Sequence, residues 1–255
     1  MRPFLPPGFA SSAARLFGIQ SAFSYERMIG IGFAHAIEPL LRPLRERDGG
    51  TRYREALARH ARYFNAHPYV ASLAVGAAAR AELDGEPPEK IERLRAALCG
   101  PLGALGDRLI WAGWLPACAA VGLALVALGA RGWGVVAFLV LYNAVHAPLR
   151  LWGLRAGFRA GSRVAGALAG PVLQRGVAVA GPAAALSVGA ALPLVVAWLA
   201  RRGMPWAAAW DHAAVAVVGA VVFVVLLRRL RGRLSGVALA MVLMAGVVVA
   251  GVAWP

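Results

Sequence analysis

From Leu109 to Ala130 the chain runs for 22 residues without a charged side chain. As a helix rising about 1.5 Å per residue, such a run crosses a hydrocarbon layer of about 30 Å. Backbone N–H and C=O groups inside a bilayer must be satisfied within the protein, which makes the helix the natural form for it. Gly132 to Leu149, Gly176 to Ala200, Met204 to Leu227 and Leu234 to Pro255 repeat the pattern, so five spans are expected. The composition agrees: 60% of the 255 residues are hydrophobic and 15% charged, against about 45–50% and about 25% in soluble domains.

The charge balance is strongly basic, with 27 Lys and Arg against 12 Asp and Glu. In a soluble protein this would suggest a nucleic-acid partner. Here eleven of the twelve acids lie between Glu26 and Asp107, and beyond them only Asp211 remains, while the arginines sit in short groups between apolar runs. That is the pattern of membrane flanks, and no nucleic-acid partner is expected. Arg150, Arg155, Arg159 and Arg163 follow the second run and Arg228, Arg229, Arg231 and Arg233 the fourth, whereas the alternate connections carry Arg131, Arg201 and Arg202. Eight against three orients the N-terminal side toward the cytoplasm and Pro255 outside. The first residues, interrupted by Pro6-Pro7-Gly8, are not expected to form a cleavable signal peptide. Gly181-Pro182 and Pro193 predict that the third run is kinked or broken, as helices are where they line a cavity.

Residues 11–108 have a different texture, that of amphipathic helices. Ser11 or Ser12 can cap a helix to about Arg47, ended by Asp48-Gly49-Gly50. Tyr53, Leu57, Ala61 and Phe64 recur at helical spacing in a second helix, and Pro68 disfavours helical geometry at His67, leaving Asn65 and His67 in a turn. Tyr69 to Leu83 forms a third helix, Asp84 to Pro88 an exposed connector, and Glu89 to Leu98 a short fourth.

Three polar clusters border apolar segments. In Gln20 to Met28, Gln20, Ser24 and Arg27 fall on one helical face and Glu26 on another. This is either a stripe that meets a polar ligand or, for Glu26 and Arg27, an ordinary exposed pair. In Phe64 to Tyr69, Asn65 and His67 are presented by a rigid turn, although a helix cap and a locally packed imidazole fit the same letters. Gly100 to Asp107 carries Gly100, Gly103, Gly106 and Pro101 directly before the first span, a glycine-rich loop of re-entrant type that allows close backbone approach. It lacks the Gly-Lys-Ser/Thr of a phosphate loop. Asp107 is an acid at a membrane entrance, either functional or a helix cap with Arg108 snorkelling.

His146 with Asn143, and Asp211 with His212, lie within apolar runs and are expected to face protein or water. Cys99 and Cys118 match no zinc or redox spacing and read as packing residues. His35, His60 and His67 form no metal-binding spacing, and no Ser/His/Asp nucleophile turn is present; neither a metal nor another cofactor is expected, and no catalytic residue.

The clusters Tyr25-Glu26-Arg27-Met28, Phe64-Asn65-Ala66-His67-Pro68-Tyr69 and Gly100-Pro101-Leu102-Gly103-Ala104-Leu105-Gly106-Asp107 occur in the order and local form of the IID subunits of mannose/fructose/sorbose-type sugar phosphotransferase permeases. A fourth similarity is Phe138 to Asn143 followed by an arginine-bearing, glycine-containing helix from Leu149 to Gly161. The resemblance covers residues 11 to 165, with hydropathy alone agreeing beyond. It implies an all-α polytopic membrane subunit over 11–255. Residues 11–108 would supply the sugar-path motifs and 109–255 a transmembrane bundle.

By that resemblance the chain pairs with a IIC subunit to move a hexose or amino sugar, in a trimer of IIC–IID heterodimers. IIB and IIA proteins supply the phosphate, so this subunit is a non-catalytic part of the phosphotransferase complex. Gln20, Glu26, Asn65, His67 and Asp107 are the implied sugar-path residues, with Gly100, Gly103 and Gly106 allowing close approach. Ile29-Gly30 and Ala66 depart from the pattern, which leaves the sugar open. A membrane docking or regulatory component that binds phosphotransferase proteins without transport is the alternative; an enzyme using His67 and Asp107 would rest on residue types alone.

Overall fold

The computed structural model describes residues 6–46 and 48–202, and these are helical throughout apart from turns and two isolated backbone bridges. Met204 to Leu227, Leu234 to Pro255 and Asp211-His212 lie outside the described residues. The chain divides into two compact units, Met1–Leu194 and Val195–Pro255, and of the second only residues 195–202 are described.

The expected helix to Arg47 is two helices, α1 (Phe9–Arg15) and α2 (Gly30–Leu41), joined by a short 3-10 turn and a run of turns. Neither serine caps α1, which begins after Gly8 at φ 81°; Ser12 instead donates its hydroxyl hydrogen to the Ala36 carbonyl at 2.6 Å. The break is a tertiary effect. Leu16 and Ile19 are fully buried, and α2 receives the returning chain at two glycines. A Cβ on Gly32 would collide with the Ile19 carbonyl oxygen, and one on Gly30 with that of Arg62. Burying Leu16 and Ile19 against Phe33 and Ile37 outweighs the modest propensity of residues 16–28 to stay helical. The shared helical face expected for Gln20, Ser24 and Arg27 therefore does not exist.

Helix α3 (Thr51–His60) ends earlier than its apolar spacing suggests, because Phe64 leaves the helix to bridge Met28 and to pack its ring on Phe33 at 4.7 Å. Helix α4 (Ala71–Leu83) is buried on nearly every side, as its Ala-, Gly- and Ser-rich sequence allows. Glu38 ties three helices together, accepting from Arg15 at 2.7 Å, Arg42 at 3.0 Å and Tyr53 at 2.8 Å. The Arg42 bond is the main cause that holds its carboxyl at about 2.

Past Gly85 (φ 75°), α5 (Pro88–Gly106) runs on through wide π-type turns over Asp107–Trp114 into α6 (Leu115–Leu125). Gly100 to Gly106 is thus helix, not a re-entrant loop. Leu98, Leu102 and Leu109 continue one buried stripe at helical spacing, and their burial exceeds the roughly 1 kcal/mol that each glycine costs a helix. Helix α7 (Trp133–Ala160), the short α8 (Ala165–Leu168) and α9 (Pro171–Ala200) complete the described chain. Pro182 and Pro193 sit inside α9, which is continuous rather than broken.

Three helices among the described residues are long and apolar enough to cross a membrane: Pro88–Ala130, Trp133–Arg163 and Ala165–Ala200. They contain the first three expected spans. The uncharged runs lie side by side: the Trp114 indole N–H donates to the Leu141 carbonyl at 3.1 Å, and Gly176 takes the Leu109 side chain. The last turns of α7 continue along α4. There Gly76 meets the Leu154 carbonyl, Gly153 the Ser72 hydroxyl and Gly157 the Leu73 carbonyl, each without room for a Cβ. Small residues at such a crossing let backbones touch.

Arg150, expected at a membrane flank, is buried instead. It donates to the Leu16 carbonyl and lies over the rings of Tyr69 at 4.5 Å and Phe17 at 5.1 Å. A nearby carbonyl and two aromatic faces offer this cation more than the interface does. His146 is buried as expected, whereas Asn143 is exposed and donates back to the Leu139 carbonyl at 2.6 Å.

The crossing predicts an asymmetry among glycines. Gly157→Leu should destabilise the detergent-solubilised protein by about 1–3 kcal/mol, the usual cost of overpacking. Gly189→Leu, where nothing lies within 4 Å of the added Cβ, should not. Equal unfolding midpoints in a thermal scan of the two variants would contradict the close α4–α7 contact.

Candidate functional site

A cavity of about 620 Å³ is lined by Gln20, Asn65, His67 and Asp107, and by Gly100 and Gly103. The three polar clusters of the sequence thus meet in one place. Each arrives by a different route. Ile29 N–H donates to the Phe64 carbonyl at 3.1 Å and Phe64 N–H to that of Arg27 at 3.3 Å, which staples the Gln20 turn beside Asn65. Met28 makes the reversal at φ 51°, a strained value for a side-chain-bearing residue, held by its paired bonds with Ser24. Asp107 opens the π-type turns that continue α5, and along this unbroken helix Gly100, Gly103, Ala104, Asp107 and Trp111, at i, i+3, i+4, i+7 and i+11, all line the cavity.

Glu26 stands on the same turn as Gln20 but is exposed and does not line the cavity. Gly106 does not line it either. It lies beneath His67, whose imidazole occupies the space a Cβ would need, while Gly100 and Gly103 have open space in front of them.

His67 is 3% exposed. Its Nδ1 accepts the Tyr69 backbone N–H at 3.3 Å, which assigns the proton of the neutral ring to Nε2, and Nε2 has no partner among the described residues. Burial lowers its pKa to about 4; the nearby Asp107 charge works against that shift and Arg150 adds to it. The ring is therefore a neutral single donor near pH 7.

Behind His67, the Tyr69 ring lies edge-on at 5.0 Å, and its hydroxyl meets the Tyr142 hydroxyl at 2.7 Å. His146 packs against Tyr69 at 4.7 Å and Tyr142 at 5.3 Å, so residues of α7 back the turn that holds His67. On the other side, Arg95 caps the end of α3, donating to the carbonyls of Arg59 at 2.8 Å and His60 at 3.2 Å while lying over Phe33 and Phe64. Glu82 accepts from His60 at 2.9 Å and from Arg59 at 3.0 Å. Burial alone would raise the Glu82 pKa, but these two bonds leave it below the ordinary value; burial acts the opposite way on His60 and lowers its pKa.

Phe23, Tyr63, Cys99 and Trp111 also line the cavity and were not among the sequence candidates. Trp111 is 61% exposed, with its ring 6.0 Å from His67. Its signal was its spacing four residues after Asp107, which carries meaning only once 100–111 is helix. Phe23 and Tyr63 offered no local signal, because the staple between residues 27–29 and 64 brings them in. In chemical terms the cavity offers two amides, one carboxylate and exposed aromatic faces, with the buried, unpartnered His67 Nε2–H in its wall, a set suited to an uncharged ligand with several hydroxyl groups.

Residues 8–200 match the family described as the PTS system mannose/fructose/sorbose family IID component. The sorbose-specific EIID component of Klebsiella pneumoniae is 34% identical over 164 residues, covering 61% of this chain and 58% of that protein. The fructose permease IID component of Bacillus subtilis is 30% identical, covering 60% and 57%. The chain thus spans under two thirds of the length of these relatives. Among solved structures, a chain of the cryo-EM complex of the mannose transporter ManYZ with microcin E492 superposes with a TM-score of 0.57 at 26% identity, covering 72% of this chain and 68% of that one.

The state of His67 sets a pH dependence. Its pKa is about 4 in the folded protein against 6.5 for an ordinary, solvated histidine, so the unfolded chain binds more protons between these values and stability falls as pH drops from about 6.5 to about 4. His67→Gln should flatten that part of the profile, and Asp107→Asn, which removes the opposing charge, should steepen it. Thermal midpoints measured from pH 7.5 to 4.5 would show this; superimposable wild-type and His67→Gln profiles would exclude a buried neutral His67.

Proposed function

Because the chain belongs to the mannose/fructose/sorbose family of phosphotransferase-system IID components, we propose that it is a membrane subunit of a sugar permease whose cavity at Gln20, Asn65, His67 and Asp107 forms part of the sugar path. The observation that carries this reading is the convergence of those four side chains, distant in sequence, on one cavity at the edge of the first apolar run. A hexose or amino sugar presents vicinal hydroxyls that both donate and accept. Asp107 accepts from two of them and the Gln20 and Asn65 amides do either, while the buried His67 Nε2–H, without a partner among the described residues, is open to a hydroxyl only if the wall around it opens. Trp111 and Phe23 offer flat apolar surface to the C–H face of a pyranose.

The partner in this reading is a IIC subunit, which the ManYZ similarity supports; the family resemblance adds IIB and IIA proteins that carry phosphate and a trimer of IIC–IID pairs. The residues identified here bind rather than transfer a phosphoryl group. Glu26, exposed on the Gln20 turn, meets the sugar only outside this cavity or contacts the partner. The arginine bias supports a cytoplasmic N-terminal side in a bacterial inner membrane.

The test is co-expression with a IIC subunit of the same family and measurement of sugar binding by the purified pair. Asp107→Asn should weaken binding roughly 10- to 100-fold, the range for a hydrogen bond to a charged group, and Gln20→Ala or Asn65→Ala about 2- to 10-fold. Trp111→Ala should weaken it as well, and Glu26→Gln least. A pair that binds sugar equally with and without Asp107 and Asn65 would move the path elsewhere; a folded pair that binds none would favour the docking role.

A further inference from the structure

A second cavity, of about 370 Å³, opens on an adjoining face of α5, between it, α8 and α9. Leu105, Leu168, Ala169 and Val177 give it an apolar wall, and Arg108 and Gln174 are its polar groups. The sugar-path reading does not use it.

Its height relative to the membrane follows from the packing. Arg108 directly precedes the uncharged run 109–130, and Arg175 directly precedes the run 176–200. Leu109 rests on Gly176, and Gly113 faces Ala180 four residues further along both helices, so the two runs begin at the same level. Both arginines therefore stand at the same edge of the hydrocarbon layer, Arg108 on the cavity wall and Arg175 outside its lining at the start of the neighbouring run. Both are exposed, and neither has a carboxylate partner among the described residues. The neighbouring acid, Asp107, lines the other cavity. The Gln174 amide N–H donates to the Leu168 carbonyl at 3.3 Å, which holds α8 against the start of α9.

We propose that this cavity holds an anionic phospholipid of the surrounding bilayer. The headgroup phosphate sits at Arg108, with Arg175 adding positive charge at the same level of the membrane, and the upper part of an acyl chain lies along Leu105, Leu168 and Val177. The chemistry is that of basic pockets between membrane helices, which select anionic headgroups because the cation lies at headgroup depth and the wall beneath it is apolar. A free anion would gain nothing from that wall, and a zwitterionic lipid would bring its own cation to the arginine pair. The two features together commit the site to a lipid with net negative charge.

The full-length chain, purified in mild detergent in whatever assembly it leaves the membrane, is incubated with phosphatidylglycerol or phosphatidylcholine, and retained lipid is counted by native mass spectrometry. Phosphatidylglycerol should be retained in preference. Arg108→Gln should reduce that retention about fivefold, the effect of one cation near a membrane surface, and Arg108→Lys should preserve most of it. Ala169→Phe, which fills the apolar part while leaving both arginines, should also lower it. Arg131→Gln, on the far connection, should change nothing. Equal retention of the two lipids, an unchanged count in folded Arg108→Gln, or displacement by glycerol phosphate at concentrations that match the lipid would each overturn the proposal.

Discussion

The contact of α4 with the last turns of α7 is the constraint on which the rest of the structure depends. Gly76, Gly153 and Gly157 bring two helix backbones together at van der Waals distance. One of these helices starts from the His67 turn, and the other is the continuation of an apolar run. The crossing therefore fastens the polar turn to a membrane helix without a flexible link. Tyr69, Tyr142, His146 and Arg150 fill the space where the two diverge, and their rings and hydroxyls continue the contact as far as His67. A larger residue at any of the three glycines would widen that space, and the backing of the imidazole would be lost before the cavity itself was touched.

A second close approach sets the other wall. Gly30 and Gly32 allow the carbonyls of Arg62 and Ile19 to lie against the first turn of α2. This breaks what would otherwise be a long amphipathic helix and leaves the eleven residues 19–29 outside any helix, with Met28 in a strained conformation. The cost is local and of order 1–3 kcal/mol. Against it stand the burial of Leu16, Ile19, Ile29 and Phe64 and the two backbone bonds between residues 27–29 and 64. Those terms are larger, since one fully buried Leu or Phe contributes about 1.5–3 kcal/mol. The strained turn carries Gln20 to the cavity, so the same exchange that builds the core also builds the site.

Three of the expected spans were legible because absence of charge over 17 or more residues is a local property, and bilayer thickness sets its length. The turn at His67 was legible because Pro68 acts on its own neighbour. That Gln20, Asn65, His67 and Asp107 belong together was suggested by family resemblance, not by spacing. What failed did so for non-local reasons. The break after Arg15 depends on carbonyls from residues 19 and 62 finding glycines at 32 and 30. The glycine-rich stretch 100–106 reads as a loop by propensity, yet Leu98, Leu102 and Leu109 hold it helical, and with the loop reading Trp111 was lost as a cavity residue. Arg150 after an apolar run looks like a flank until Leu16, Phe17 and Tyr69 are seen around it.

Arginine chemistry explains how so basic a chain buries cations with so few acids. Arg95 and Arg150 are both inside the protein, yet neither is paired with a carboxylate; each donates to backbone carbonyls and lies on aromatic faces. A planar guanidinium does both at once, donating in its plane and stacking across it, and it is more weakly hydrated than an ammonium. Lysine in either place would keep the charge and lose the geometry. At Arg95 the carbonyls are those left open at the end of α3, so the cation also meets the negative end of a helix. Carbonyls and rings, unlike carboxylates, add no charge of their own that would have to be desolvated. The scarce acids are thereby left for positions where a full negative charge does something a carbonyl cannot: Glu38 between three helices, Glu82 between Arg59 and His60, and Asp107 on the open wall of the cavity.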